Sequence, residues 1–251
     1  MKLLRFLWQC LLWYRQITFM IYMIIITVVL ATITILFGCL RMPLTIRLFP
    51  AKLWSIMVYS GMFFILWLSF KIIGKKNISK KPSVYLSKHQ SSWETMIFHG
   101  VLPRTCFVLK KELMAIPIFG QGLQFVDSIP INRKQSLQSF RAVLQNGKNC
   151  LHRGLSIVIF PEGMRVDIQS YPKFHRTAMR LVKSTGAKII PVAHNSGCYW
   201  PKKTGLIIPG SITICFGPAI SPDKFYNINE LNDCCYHWIN NKVKMLVNKK
   251  S

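Results

Sequence analysis

"IVIFPEGMR", residues 157–165, runs from an unbroken apolar segment directly into Pro161-Glu162-Gly163, with Arg165 two positions beyond. A short apolar run without alternation fits a strand buried on both faces, as in a parallel sheet covered by helices. Glycine permits the tight turn and close backbone approach that such a strand end requires. In open α/β sheets, ligands gather at these strand ends. The competing reading is an ordinary turn carrying a solvated glutamate, and the neighbouring segments decide between the two.

On either side, short apolar runs alternate with helical patterns. Strands are predicted at 83–87, 105–110, 123–131, 155–160, 187–194 and 211–217. Helices are predicted over 134–152 and 175–186, where apolar residues recur at helical spacing and each stretch ends near a glycine. A last amphipathic helix covers 228–250, with Leu231, Trp238, Ile239, Val243 and Leu246 on its apolar face. The alternation predicts an α/β fold with a single mixed sheet. The basic segment "IIGKKNISKKPS", 72–83, marks the start of this domain, which is expected to span 75–251.

The first 74 residues are different in character. No charged residue lies between Arg15 and Arg41, and residues 17–40 are long enough to cross the roughly 30 Å apolar core of a bilayer. The run is longer than the ~7–15 residues of a signal-peptide core and has basic flanks on both sides, which favours a retained anchor. A second apolar stretch, 53–70, is rich in Trp and Tyr, which suit the membrane interface. Residues 1–74 are therefore expected to form a membrane-associated helical hairpin. Basic residues on every side leave its orientation open.

Against 33 Lys and Arg the chain has 8 Asp and Glu, a formal net charge of +25. Such an excess attracts anionic surfaces, whether phospholipid or nucleic acid. The apolar N-terminal segment favours lipid. The eight cysteines form no C-x-x-C pair and read as reduced thiols, not as disulfides or a zinc site. His194-Asn195-Ser196-Gly197-Cys198 comes nearest to a ligand pair, and no second cluster completes it. No metal is expected.

"KHQSSWETM", 88–96, sets His89 five positions before Glu94. Ser91 and Glu94 fit a capping box, in which the serine caps the first turn and the glutamate returns to the cap's backbone N–H. Five is an awkward spacing within a regular helix, where residues three or four apart meet. The pair can still face one another if His89 precedes the helix and Glu94 lies in its first turn.

Together "HQSSWE" (89–94), "GLQFVDSIPINR" (122–133), "FPEGMR" (160–165) and "IIPVAHN" (189–195) resemble the four blocks of the glycerolipid acyltransferase family. The likeness is greatest to its bacterial 1-acylglycerol-3-phosphate (lysophosphatidate) acyltransferases, and it covers about residues 80–220. It implies that His89 is the general base and Glu94 its carboxylate partner, without a serine nucleophile. Arg133 and Arg165 would hold the acceptor phosphate, with Lys110 adding positive charge nearby. Glu162 and Gly163 would shape the acceptor site, and Pro191 and Val192 would wall the acyl chain. Three features depart from the family pattern: Glu94 replaces the usual aspartate, Met164 and Val166 replace Thr and Ser, and His175-Arg176 replaces a glycine pair.

The resemblance implies acyl transfer to the sn-2 hydroxyl of lysophosphatidate, forming phosphatidate in phospholipid biosynthesis. Acyl-CoA or acyl carrier protein would be the thioester co-substrate, with no cofactor. Membrane lipid would be the main partner, an acidic carrier protein a second, and nucleic acid none. A bacterial inner (cytoplasmic) membrane location is expected, with the catalytic domain facing the cytoplasm. Two alternatives stay open: the same chemistry on another lysolipid, and a non-catalytic basic protein of membrane or nucleic acid.

Overall fold

The computed structural model describes residues 1–132 and 135–248. Two long helices come first, α1 (Lys2–Cys39) and α2 (Leu44–Phe64), followed by β1 (Leu68–Ile73), β2 (Val84–Ser87), α3 (Trp93–Val101) and β3 (Thr105–Lys110). Next come α4 (Phe119–Phe125), β4 (Ile129–Ile131), α5 (Ser136–His152), β5 (Ser156–Ile159) and α6 (Thr177–Thr185). The described chain ends with β6 (Ile189–His194), β7 (Gly210–Phe216) and α7 (Ile228–Asn248).

The strands form one seven-stranded sheet in the order β1-β7-β6-β2-β5-β3-β4. Every neighbouring pair is parallel except β6 and β7, so the sheet is mixed, as expected. Two apolar layers cover it. On one face α5, α6 and α7 bury Val143, Met179, Leu181, Ile239 and Val243 against Ile157 and Ile189. On the other, α1, α2 and α3 bury Phe19, Val58, Trp93 and Phe98 against Tyr85, Val158 and Ile190. The spacing of Leu231, Cys235, Ile239 and Val243 brings one side of α7 onto the sheet, all four fully buried. Each such Leu, Ile or Val contributes roughly 1.5–3 kcal/mol.

Three sequence expectations need correction. The sheet begins inside the segment assigned to the hairpin: Leu68–Ile73 is a strand, paired in parallel with β7 from Leu68↔Gly210 to Ile73↔Cys215. The hairpin therefore ends before residue 68. Its second arm starts earlier than expected, at Leu44, and packs on the domain, where Ser55 Oγ donates to the Met96 carbonyl at 2.6 Å. Among the described residues one helix, α1, is long and apolar enough to cross a membrane. Finally, the strand expected at 123–131 is half helix, because α4 runs to Phe125 and only Ile129–Ile131 pairs with β3.

The α1–α2 pair is joined by specific contacts. Trp54 Nε1 donates to Thr27 Oγ1 at 2.9 Å, and the Tyr22 hydroxyl donates to the Met57 carbonyl at 2.9 Å. A Cβ on Gly61 would lie 2.5 Å from the Tyr22 ring, so only glycine allows the helices to approach this closely here. The outer face of α1, including Ile17, Ile21, Ile24, Ile25 and Val29, remains exposed.

Candidate active site

The site lies at the carboxyl ends of three adjacent strands, β6, β2 and β5. β2 ends at Ser87 and the chain passes through Lys88 to His89. β5 ends at Ile159 and leads to Glu162, while β6 ends at His194 and leads to Ser196. Neighbouring strands with matched ends thus bring together residues more than a hundred positions apart.

His89 Nδ1 lies 2.9 Å from Glu94 Oε1. A carboxylate only accepts, so Nδ1 carries the proton, and in the neutral imidazole Nε2 is the nitrogen with the free lone pair. The ring stacks on Phe160, with centroids 4.2 Å apart and planes at 23°. The capping box forms in modified register: α3 begins at Trp93, whose N–H donates to Ser91 Oγ at 3.1 Å. Glu94 Oε1 accepts the Ser91 N–H at 3.0 Å and also the Gln90 N–H at 2.8 Å. One oxygen therefore serves both the helix start and the imidazole. The other, Oε2, accepts from Ser91 Oγ at 2.7 Å and Ser196 Oγ at 3.1 Å.

Glu94 is fully buried. Burial pushes its carboxyl up, but the nearby imidazoles of His194 and His89 and hydrogen bonds from His89 and Ser91 outweigh that and hold it at about 2. It is ionised throughout the neutral range. His194 is also fully buried, which pushes its own value down, and its Nε2–H donates to the Lys88 carbonyl at 2.8 Å. The "HNSGC" segment thus contributes supports to the site through His194 and Ser196.

The backbone of His89 is held at both polar atoms. Its N–H donates to Glu162 Oε2 at 3.2 Å, and its carbonyl accepts the Val166 N–H at 2.8 Å. Glu162 Oε1 lies 3.0 Å from Lys88 Nζ, and neither side chain is exposed. Burial pushes the Glu162 carboxyl up, against the pull of Lys88 and His89. Both Glu162 oxygens are thus turned to Lys88 and the His89 backbone. Gly163 makes the turn possible: its φ is +70°, and a Cβ there would lie 3.2 Å from the His175 ring.

In front of the imidazole lies a cavity of about 670 Å³. Its walls are apolar residues of α1, α2, α3, β3 and α4, among them Met23, Ala31, Trp54, Met96, Leu109 and Phe119. His89, Phe160, Lys110 and Arg165 also line it, so three of the expected site residues, His89, Lys110 and Arg165, face one cavity. Arg165 Nη1 donates to Ser92 Oγ at 3.0 Å, and Lys110 pairs with Glu112 at 3.3 Å on the surface. Arg133 falls outside the described residues. Pro191 and Val192 lie within β6 in the sheet, so the apolar wall comes from the helices and β3 instead.

A hydroxyl entering this cavity would meet an imidazole whose tautomer is fixed and whose free nitrogen can accept a proton, beside a guanidinium able to hold an anion. That is the equipment of a general base acting on a polar-headed, apolar-tailed substrate. The chain belongs to the acyltransferase family, whose model matches residues 69–195. It is 36% identical over 185 residues to the 1-acyl-sn-glycerol-3-phosphate acyltransferase of Pseudomonas aeruginosa, covering 70% of this chain and 72% of that protein. A Chlamydomonas reinhardtii protein of the same description is 29% identical over 167 residues, and the match spans about half of its length, 49%. The fold matches the crystal structure of the 1-acyl-sn-glycerophosphate acyltransferase from Thermotoga maritima with a TM-score of 0.75 and 19% identity, covering 93% of this chain and 97% of that one.

Proposed function

We propose that the protein is a 1-acylglycerol-3-phosphate acyltransferase, moving a fatty acyl group from a thioester to the sn-2 hydroxyl of lysophosphatidate and releasing phosphatidate. His89 Nε2 takes the hydroxyl proton as the oxygen attacks the thioester carbonyl. The new C–O bond forms, the C–S bond breaks, and the imidazolium returns the proton to the leaving thiolate. Glu94 stabilises the imidazolium between these steps. Arg165, with Arg133, holds the phosphate, because a guanidinium matches phosphate oxygens two at a time. Lys110 adds positive charge at the same rim. Gly163 keeps the loop close behind the imidazole, and the apolar cavity takes an acyl chain.

The observation that carries this reading is the His89–Glu94 pair at 2.9 Å opening onto an apolar cavity with Arg165 at its edge. The exposed apolar side of α1 supports residence at a membrane, where both lipid substrates lie. A bacterial inner membrane with the catalytic domain on the cytoplasmic side suits a soluble thioester donor, either coenzyme A or an acidic carrier protein drawn to a basic surface.

The test is acyl transfer by wild type and His89→Ala, with coenzyme A and carrier-protein thioesters offered separately and several lysolipids as acceptors. Wild type should acylate lysophosphatidate and the variant should not. Equal activity in the two, or a clear preference for an acceptor lacking phosphate, refutes the assignment.

A further inference from the structure

Lys88 immediately precedes the catalytic histidine, is fully buried, and has no part in the chemistry proposed above. A buried ammonium is costly unless it is paired and hydrogen-bonded. Here Nζ meets Glu162 Oε1 at 3.0 Å, the Ser170 carbonyl at 2.9 Å and Asn240 Oδ1 at 3.1 Å. The Tyr171 ring lies 5.0 Å away on the same side. Asn240 sits on α7, 152 positions along the chain. Glu162 uses its other oxygen, Oε2, to accept the His89 N–H at 3.2 Å. A continuous polar chain therefore runs from α7 through Lys88 and Glu162 to the backbone of His89.

We propose that Lys88 and Asn240 are positioning residues: they fix the Glu162 carboxylate, which fixes the His89 backbone and so the reach of its imidazole into the cavity. The inference rests on the acyltransferase reading. The rest of the Lys88–His89 peptide has partners of its own, with Lys88 N–H on the Val192 carbonyl at 3.1 Å, the Lys88 carbonyl on His194 Nε2 at 2.8 Å, and the His89 carbonyl on Val166 at 2.8 Å. Two of these four atoms are held by side chains, the Lys88 carbonyl by His194 and the His89 N–H by Glu162, and of the two side chains Glu162 is the one paired with Lys88. Without Lys88, Glu162 would be a buried carboxylate with no countercharge. It would be driven to leave its place or take up a proton, loosening its hold on His89. Among the described residues the Asn240 side chain has no other hydrogen bond to lose, since its Nδ2 is buried without a hydrogen-bond partner.

The experiment measures kcat, KM for both substrates, and thermal melting for wild type, His89→Ala, Lys88→Met, Asn240→Leu and the double variant Lys88→Met/Glu162→Gln. Lys88→Met should lower kcat roughly 10- to 100-fold with KM almost unchanged, since a small displacement of a catalytic group acts on the transition state. The double variant should regain a large part of that loss, because the glutamine carbonyl can still accept the His89 N–H and no lone charge remains buried. Asn240→Leu should lower kcat less, in the same direction.

A Lys88→Met kcat within about threefold of wild type, a loss confined to KM, or a double variant no better than the single one would overturn the proposal. Should Lys88→Met not fold, Asn240→Leu decides, and a wild-type kcat there also overturns it. Wild type inactive on lysophosphatidate, or His89→Ala active, would instead refute the underlying reading.

Discussion

Replacing Glu94 by glutamine removes the charge while the structure holds the shape constant. Three donors converge on Oε1: His89 Nδ1 at 2.9 Å, Gln90 N at 2.8 Å and Ser91 N at 3.0 Å. An amide nitrogen in that position would face two backbone N–H groups, so the glutamine oxygen must take it. The amide nitrogen then falls where Oε2 was, beside the Ser91 and Ser196 hydroxyls, which can rotate to accept. Nδ1 keeps its acceptor and the imidazole its tautomer, while the negative charge that stabilises the imidazolium is lost. General-base assistance of this kind contributes roughly 10²–10⁴ in rate, so kcat should fall by about that factor, or about 3–5 kcal/mol in the barrier. Initial rates of thiol release from acyl-CoA with lysophosphatidate as acceptor would measure it, and thermal melting would confirm that the variant is folded. A folded Glu94→Gln enzyme with kcat within about threefold of wild type would refute the charge argument.

Arg165→Ala should raise KM for lysophosphatidate roughly 10- to 100-fold and leave kcat nearly unchanged, with Arg165→Lys in between; steady-state titration of the acceptor separates these parameters. Ala31→Phe places a ring in the cavity wall and should shift preference toward shorter acyl chains, read by competition between thioesters of different length. Glu94 has an ordinary value of 4.5 and is held at about 2 in the fold, so it contributes stability that is fully present above pH 4.5 and lost as pH falls toward 2. The contribution is about 3 kcal/mol. Glu162, pushed up by burial, acts in the opposite sense. Denaturation from neutral pH down to pH 2 should therefore show an acid-dependent difference between wild type and Glu94→Gln, and parallel curves would contradict it.

The residues that touch the proposed substrates were legible because each sits in a short block with its own logic, a capped helix start or a strand running into a Pro-Glu-Gly turn. Their supports were hidden for identifiable reasons. Lys88 is one of 33 basic residues and looks like surface until the sheet buries it. Ser196 and Asn240 reach the site only because β6 flanks β2 and α7 lies across the same sheet face, facts that no local pattern contains. β1 was concealed because its first three residues, Leu68 to Phe70, close the apolar run that reads as a membrane segment, and the alternation from Leu68 to Ile72 is too short to stand out from that run. The helical half of 123–131 was missed for the same ambiguity: Leu123 and Phe125 close a helix whose Gly122 approaches Ala31 of α1, a contact made only in three dimensions.

The shared use of Glu94 bears on how this site can be altered. Its carboxylate satisfies two backbone N–H groups, two hydroxyls and the imidazole, so it is fixed before any substrate arrives. That preorganisation is what a general base needs, since no reorientation is left for the moment of proton transfer. It also means that a change at Glu94 acts on the start of α3 and on His89 at once. Shortening the side chain to aspartate would draw the carboxylate back from both sets of donors unless the 89–92 turn moved with it. The glutamate, which departs from the family's aspartate, is therefore matched to this turn, and a swap to aspartate should displace both the start of α3 and His89, where a swap to glutamine keeps the shape and loses the charge with the stability that charge supplies.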